Sequence, residues 1–280
     1  MREAKRNLKI GRKKLQGKVL IIAGSDSGGG AGIQADIKTV TALDGFAMTA
    51  ITALTAQNTQ GVFGIHNVPT SFISEQIKVV LGDIGADVIK IGMLNQPEII
   101  RVVCDTLKSE APELPIILDP VMVAKGGASL LDEEAIDALE KLMVPRALVL
   151  TPNIPEAEAL TGVLAPTVGE AGSLARALSI LGPQAVLLKG GHRKGGNVVD
   201  HLMEGGQVVE TYTSTRINTV HTHGTGCTLS SALAVGIAQG LTLRNSVKRA
   251  REYVQEAIRT APCYGAGHGP LNHAHPFSNF

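Results

Sequence analysis

The segment Asn218-Thr-Val-His-Thr-His-Gly-Thr-Gly-Cys227 carries the residue types and spacing most suited to chemistry. An Ala-rich apolar stretch follows it and reads as a helix, so Gly224, Thr225, Gly226 and Cys227 fall at a helix N-terminus. The first N–H groups of a helix lack partners within it, and the helix dipole adds positive potential there. Glycines let the backbone approach an anion closely. The segment therefore reads as an anion hole, suited to a phosphoryl group during transfer. An ordinary helix cap made by Thr225 is the plainer alternative, but two glycines weaken a helix start that has no ligand to hold. Cys227 is expected to act as a base or as hydrogen-bond partner to an attacking hydroxyl, because a helix start lowers a thiol pKa from about 8.5. Its other reading is a small buried hydrophobe.

Asp119 and Glu156 each follow an apolar run that reads as a strand. Phosphoryl transfer calls for magnesium, and magnesium takes oxygen ligands, mostly through water. Two carboxylates beside an anion hole meet that need. Either one alone could be a helix or turn cap.

The elements that must position these groups alternate along the chain. Strands are predicted over 18–24, 46–56, 88–91, 116–121, 147–151 and 185–189, each an apolar run. Helices are predicted over 33–43, 72–81, 97–107, 132–142, 155–160, 169–181, 226–239 and 243–260, on apolar spacing of three and four. Two alternating runs within 198–213 flank Glu204-Gly205-Gly206 and read as a β-hairpin. Residues 262–280, rich in Gly, Pro and His, are expected to be irregular. The alternation predicts an α/β fold: a doubly wound, mostly parallel central sheet with helices on both faces and one small hairpin. Ligands of such sheets bind at the carboxyl ends of the strands, which selects Gly24 onward, Asp119, Asn153 to Glu156 and Lys189 to Gly191. No repeat or linker divides residues 18–280, so a single domain is expected there.

Composition narrows the function classes. Hydrophobic residues make up 44% of the 280, enough for a sizeable core, and aromatics only 3%. A net charge of +1 gives no overall basic field for nucleic acid. Residues 1–17 are the exception, a basic tail read as a solvated tail or part of a leader, or as a contact for an acidic partner. No apolar run suits a secretory signal or a membrane span. Three cysteines without a C-x-x-C pair point to a reducing cytoplasm. Gly30, Gly32 and Ala35 match a dinucleotide fingerprint, but the acid expected about twenty residues later is missing. No P-loop and no G-x-S-x-G motif is present. His268, His273 and His275 resemble a metal tract, although a His-containing Gly/Pro tail is the commoner case.

Together these residues resemble the ribokinase-like superfamily, and within it the hydroxymethylpyrimidine/phosphomethylpyrimidine kinases of thiamin biosynthesis. The resemblance runs from about Lys18 to Phe277. It rests on AGSD at Asp26, GGGAGIQAD at Asp36, ITALTAQNT at Gln57, KIGML at Met93, LDPVM at Asp119, TPNIPEAEAL, LLKGGH and NTVHTHGTGC. It implies ATP-dependent phosphorylation of 4-amino-5-hydroxymethyl-2-methylpyrimidine and then of its monophosphate. It also implies that Asp36, Gln57 and Met93 bind the pyrimidine, and that Asp119 and Glu156 order Mg2+. Asn153, Lys189 and His223 would lie near the nucleotide, and a homodimer is implied. Sugar kinases of the superfamily place Asp where this chain has Cys227. Many of the pyrimidine kinases read D-P-S-G-G-A-G where this chain has Ser27 in place of the proline, which loosens the turn. Pyridoxal kinase of the same superfamily is the alternative, and a non-catalytic pyrimidine-binding module is the rival from another class.

Overall fold

The computed structural model describes residues 17–122, 131–164, 171–192 and 195–277. Strand β1 (Lys18–Asp26) is buried along both faces, and its alternation sets the layering. Val19, Ile21 and Ala23 join one apolar core, while Leu20 and Ile22 join the other. Alternate residues of a strand point to opposite faces, so a strand with no polar face must sit between two covering layers.

The remaining elements supply those layers. They are α1 (Gly32–Ala42), β2 (Phe46–Gln57), β3 (Val62–Asn67), α2 (Thr70–Asp83), β4 (Val88–Ile91), α3 (Pro97–Glu110) and β5 (Ile116–Leu118). Then come α4 (Glu133–Leu142), β6 (Val149–Leu150), α5 (Ile154–Thr161), α6 (Ala171–Ile180) and β7 (Ala185–Leu188). Strands β8 (Asn197–Glu204) and β9 (Gln207–Thr215) precede α7 (Thr225–Ala238) and α8 (Leu243–Arg259). Among the described residues, nine strands form one sheet in the order β3-β2-β1-β4-β5-β6-β7-β8-β9. Six central strands are parallel, and β3, β8 and β9 are added at the two edges through antiparallel pairings. Helices α1, α7 and α8 cover one face, and α2 to α6 the other.

The doubly wound parallel sheet and the hairpin are as the sequence predicts. Strand β3 is not, and its residues explain why. It lies at the sheet edge with its residues exposed or half-buried, so no alternating apolar pattern marks it. Predicted strand 116–121 ends at Leu118, where the chain leaves the sheet and carries Asp119 over the edge. The predicted helix at 169–181 is described from Ala171, and the basic tail falls outside the described residues apart from Gly17. No described helix is long and apolar enough to cross a membrane.

One charged pair crosses this apolar interior. Lys90 on β4 and Asp36 on α1 are fully buried, with Nζ to Oδ2 at 2.8 Å. Ser231 on α7 donates to Asp36 Oδ1 at 2.7 Å. The strand at the reversal of strand order is thus tied to two helices on one face. Removing one partner strands a buried charge, whereas replacing both with apolar residues does not. Asp36→Ala is therefore expected to lower the unfolding free energy by about 3–5 kcal/mol. Asp36→Leu combined with Lys90→Met should recover most of the loss. Urea denaturation measures both, and an unchanged midpoint for Asp36→Ala would refute the pairing.

Candidate active site

The carboxyl ends of β1, β4, β5, β6 and β7 open onto a cavity of about 910 Å³. It extends past them, from Gln57 at the end of β2 to Val198 on β8. Those two strands are six places apart in the sheet, or roughly 29 Å at the usual strand spacing. The cavity is long enough for two ligands end to end.

The β2 end is built on a glycine turn. β1 ends in Asp26, whose carboxylate gathers the turn that follows. Gly28 N donates to Oδ1 at 2.8 Å, and Gly30 N and Ala31 N donate to Oδ2 at 3.1 and 2.8 Å. Burial works against this carboxylate, but His223 and the amides of Ala31 and Gly28 hold its pKa below the usual value. Ser27 closes the turn on β2, donating to the Gln57 carbonyl at 2.8 Å and accepting from Gln57 N at 2.9 Å. The turn that lacks proline is therefore tied by a side chain instead. The Gln57 amide and Met93 both face the cavity.

Across the cavity mouth stands the glycine segment before α7. Gly224 is the N-cap residue, with φ at 82° and no side-chain cap. A methyl group on it would lie 1.8 Å from the Gly30 carbonyl oxygen, so only glycine fits. The Thr225 hydroxyl donates to the Thr222 carbonyl at 2.7 Å, so it does not cap the helix. The plainer reading, a helix cap made by Thr225, is not what the structure shows. Gly226 faces two charged groups: a methyl group there would lie 3.4 Å from both Asp119 Oδ2 and Lys189 Nζ.

Asp119, Lys189, Glu156 and Asn153 form the charged floor. Lys189 Nζ is 2.8 Å from Asp119 Oδ1 and 3.8 Å from Glu156 Oε2. Asn153 and Glu156 form a capping box at the start of α5, which aims both at this spot. Burial opposes the Asp119 carboxylate, yet Lys189 and Lys90 hold its pKa below the usual value. Glu156 is pushed up to about 7, by burial and then by the charge of Asp119, against the pull of Lys189. Two buried carboxylates share one ammonium, a donor set that fits a magnesium ion bound beside phosphates.

The structure changes two expectations. Asp36 is buried beneath the cavity and held by Lys90 and Ser231, so it does not line the wall. Lys90 borders the cavity in its place. Cys227 stands at the helix start as expected, but its thiol is pushed up to about 12 rather than lowered. Burial is the main cause, Asp36 and Asp119 add to it, and Lys90 only partly offsets them. The helix terminus does not outweigh the desolvation of a thiolate. His223 borders the cavity, with its ring nitrogen held by Asp26.

Sequence reasoning missed the β8 end. Val198, Ser214, Arg251, Val254 and Ile258 line it. Arg251 Nε donates to Asp200 Oδ2 at 2.7 Å, and Asp200 Oδ1 accepts from Gly190 N at 2.8 Å. No local pattern links α8 to β8, so nothing in the sequence marked them. Lys90 and Asp26 did carry a signal, as charged residues within the apolar runs VIKI and KVLIIAGSD. The three tail histidines are held separately: His268 by the Val220 carbonyl, His273 by Thr228 and His275 by the Tyr253 carbonyl.

The described cysteines are free thiols. Iodoacetamide at pH 8 should label exposed Cys263 at least about 100-fold faster than Cys227, since thiolate is the reacting form. Peptide mass spectrometry over time gives both rates. Comparable rates would refute the raised thiol.

Comparison with known proteins follows the same lines. The model of the family described as phosphomethylpyrimidine kinase matches residues 26–272. The hydroxymethylpyrimidine/phosphomethylpyrimidine kinase of Bacillus subtilis is 45% identical over 256 residues, covering 91% of this chain and 94% of that protein. The thiamine biosynthesis bifunctional protein of Geobacter sulfurreducens is 50% identical over 258 residues. That match covers 92% of this chain, which spans only 52% of the bifunctional protein. Among solved structures, the ADP complex of Bacillus subtilis pyridoxal kinase superposes with a TM-score of 0.84 at 34% identity. It covers 92% of this chain and 98% of that one.

Proposed function

This chain belongs to the phosphomethylpyrimidine kinase family, and from that membership we propose that it phosphorylates 4-amino-5-hydroxymethyl-2-methylpyrimidine and then its monophosphate. ATP is the donor and thiamin biosynthesis the setting. The observation that carries this reading is the uncapped glycine start of α7 facing Lys189 and Asp119, midway along a cavity with room for two ligands.

The pyrimidine occupies the β2 end, with Gln57 offering its amide and Met93 its thioether to the ring. The nucleotide lies toward β8, past Asn153 and Lys189. The N–H groups of Gly226 and Cys227, with Lys189, hold the transferring phosphoryl group between them. Asp119 and Glu156 are the groups that would hold Mg2+, which when bound would neutralise phosphate charge. Phosphoryl transfer passes through a loose transition state that asks more of positioning and electrostatics than of a strong base. A neutral Cys227 thiol suits that demand, as the hydrogen-bond partner that orients the substrate hydroxyl. Three free thiols suit a cytoplasmic enzyme. The homodimer belongs to the proposal too, supported by exposed Phe63 and Ile65 on edge strand β3. A single-chain mass in sedimentation would remove it.

Pyridoxal kinase is the second reading, favoured by the close superposition on such an enzyme. ATP consumption at saturating magnesium, with the pyrimidine, its monophosphate, pyridoxal and ribose tested separately, decides between them. Turnover of both pyrimidines well above the others is expected, and turnover of pyridoxal alone would overturn the substrate. Gln57→Ala should raise the pyrimidine KM more than the ATP KM, and equal rises would remove Gln57 from the substrate end. Cys227→Ala should fold and lose about 10²-fold or more in kcat. Turnover near that of the parent would exclude its role in orienting the hydroxyl.

A further inference from the structure

Asp26 and His223 join the two halves of the site. His223 Nε2 lies 2.8 Å from Asp26 Oδ2, and both residues are buried. The carboxylate is an acceptor, since its pKa is depressed, so Nε2 carries the proton and donates. Gln57 Nε2, 3.4 Å from the same nitrogen, is also a donor and is left for another acceptor. Asp26 therefore accepts from its own turn on one side and from the anion segment on the other.

The contact is close along its whole length. A methyl group on Gly30 would lie 2.5 Å from the His223 ring, as one on Gly224 would collide with the Gly30 carbonyl. Behind His223, its backbone N donates to the Gly269 carbonyl at 3.1 Å, which fixes the backbone that carries the ring. A continuous path of bonded groups runs from Gln57 through Ser27 and Asp26 to His223 and Gly224.

We infer that Asp26 and His223 are positioning residues that couple the two ligands: occupying the anion segment with nucleotide phosphate sets the glycine turn and Gln57 for the pyrimidine, and the reverse. Neither residue needs to touch the reacting atoms. The inference rests on the proposed substrates. Coupling between two ligands is reciprocal and is commonly 5- to 150-fold in affinity.

Calorimetric titration tests it. The pyrimidine is titrated into the full chain with magnesium, alone and with a saturating β,γ-imido analogue of ATP. In the parent chain the analogue should tighten pyrimidine binding by about 5-fold or more. In His223→Leu, which removes the donor, that factor should fall to near one. His223→Gln offers a donor at a similar reach and should restore much of it. Asp26→Asn keeps the shape, removes the charge and should behave as His223→Leu, which covers the case in which the leucine variant fails to fold. If His223→Leu and Asp26→Asn melt at lower temperature but keep the full coupling factor, the two residues are merely structural and the inference is wrong. A parent chain that turns over the pyrimidine with no coupling also overturns it while leaving the proposed function standing. A parent chain that binds the analogue but neither binds nor phosphorylates the pyrimidine overturns the proposed function, and the inference with it.

Discussion

The buried pair of Lys90 and Asp36 is the interaction on which the site depends. Asp36 lies just over one turn into α1, and Ser231 lies in the second turn of α7. Both helices begin in a glycine segment that borders the cavity. Anchoring both to β4 at one carboxylate sets their starts at the same height above the sheet. The two segments then meet closely enough that Gly30 and Gly224 leave no room for a side chain. Burying such a pair is costly, and an apolar replacement can match it in stability. What it adds to an apolar contact is direction, since hydrogen bonds tie both helices to β4 at one carboxylate.

The charged floor follows a different logic. The Asp119 pKa is held down in spite of burial because two ammonium groups face it, whereas Glu156 has only a share of Lys189 and its pKa is pushed up to about 7. The cluster is poised to take up more positive charge. The Cys227 thiol is buried near Asp36 and Asp119 and stays protonated. The site therefore has a strong electrostatic character and no strong base, which is what a phosphoryl transfer with a loose transition state requires.

Much of the packing that supports these groups comes from segments with weak local patterns. The stretch after α8 is irregular, yet its Gly269 carbonyl bonds His223, its Gly267 N bonds Thr59 and its His273 bonds Thr228. These are single contacts between distant parts of the chain, each satisfied by backbone or by one side chain. Glycine there allows close approach rather than looseness.

Residue order alone determined the alternation of strands and helices, the doubly wound sheet and the end of it that opens onto the cavity. Periodicity is a local property, and buried parallel strands have no polar face to obscure it. It also brought Gly224 to Cys227, Asp119, Glu156 and Lys189 to notice, and all of them line the cavity, because each stands beside the legible start or end of an element. Tertiary structure decided the rest. Asp36 reads as a ligand-binding residue until Lys90 is seen to claim it, and Cys227 reads as an activated thiol until its burial is known. Strand β3, the wall from Val198 to Ile258 and the contact of Asp26 with His223 exist only through pairing across many tens of residues. Desolvation and long-range partners depend on what the folded chain brings together, and no local pattern encodes them.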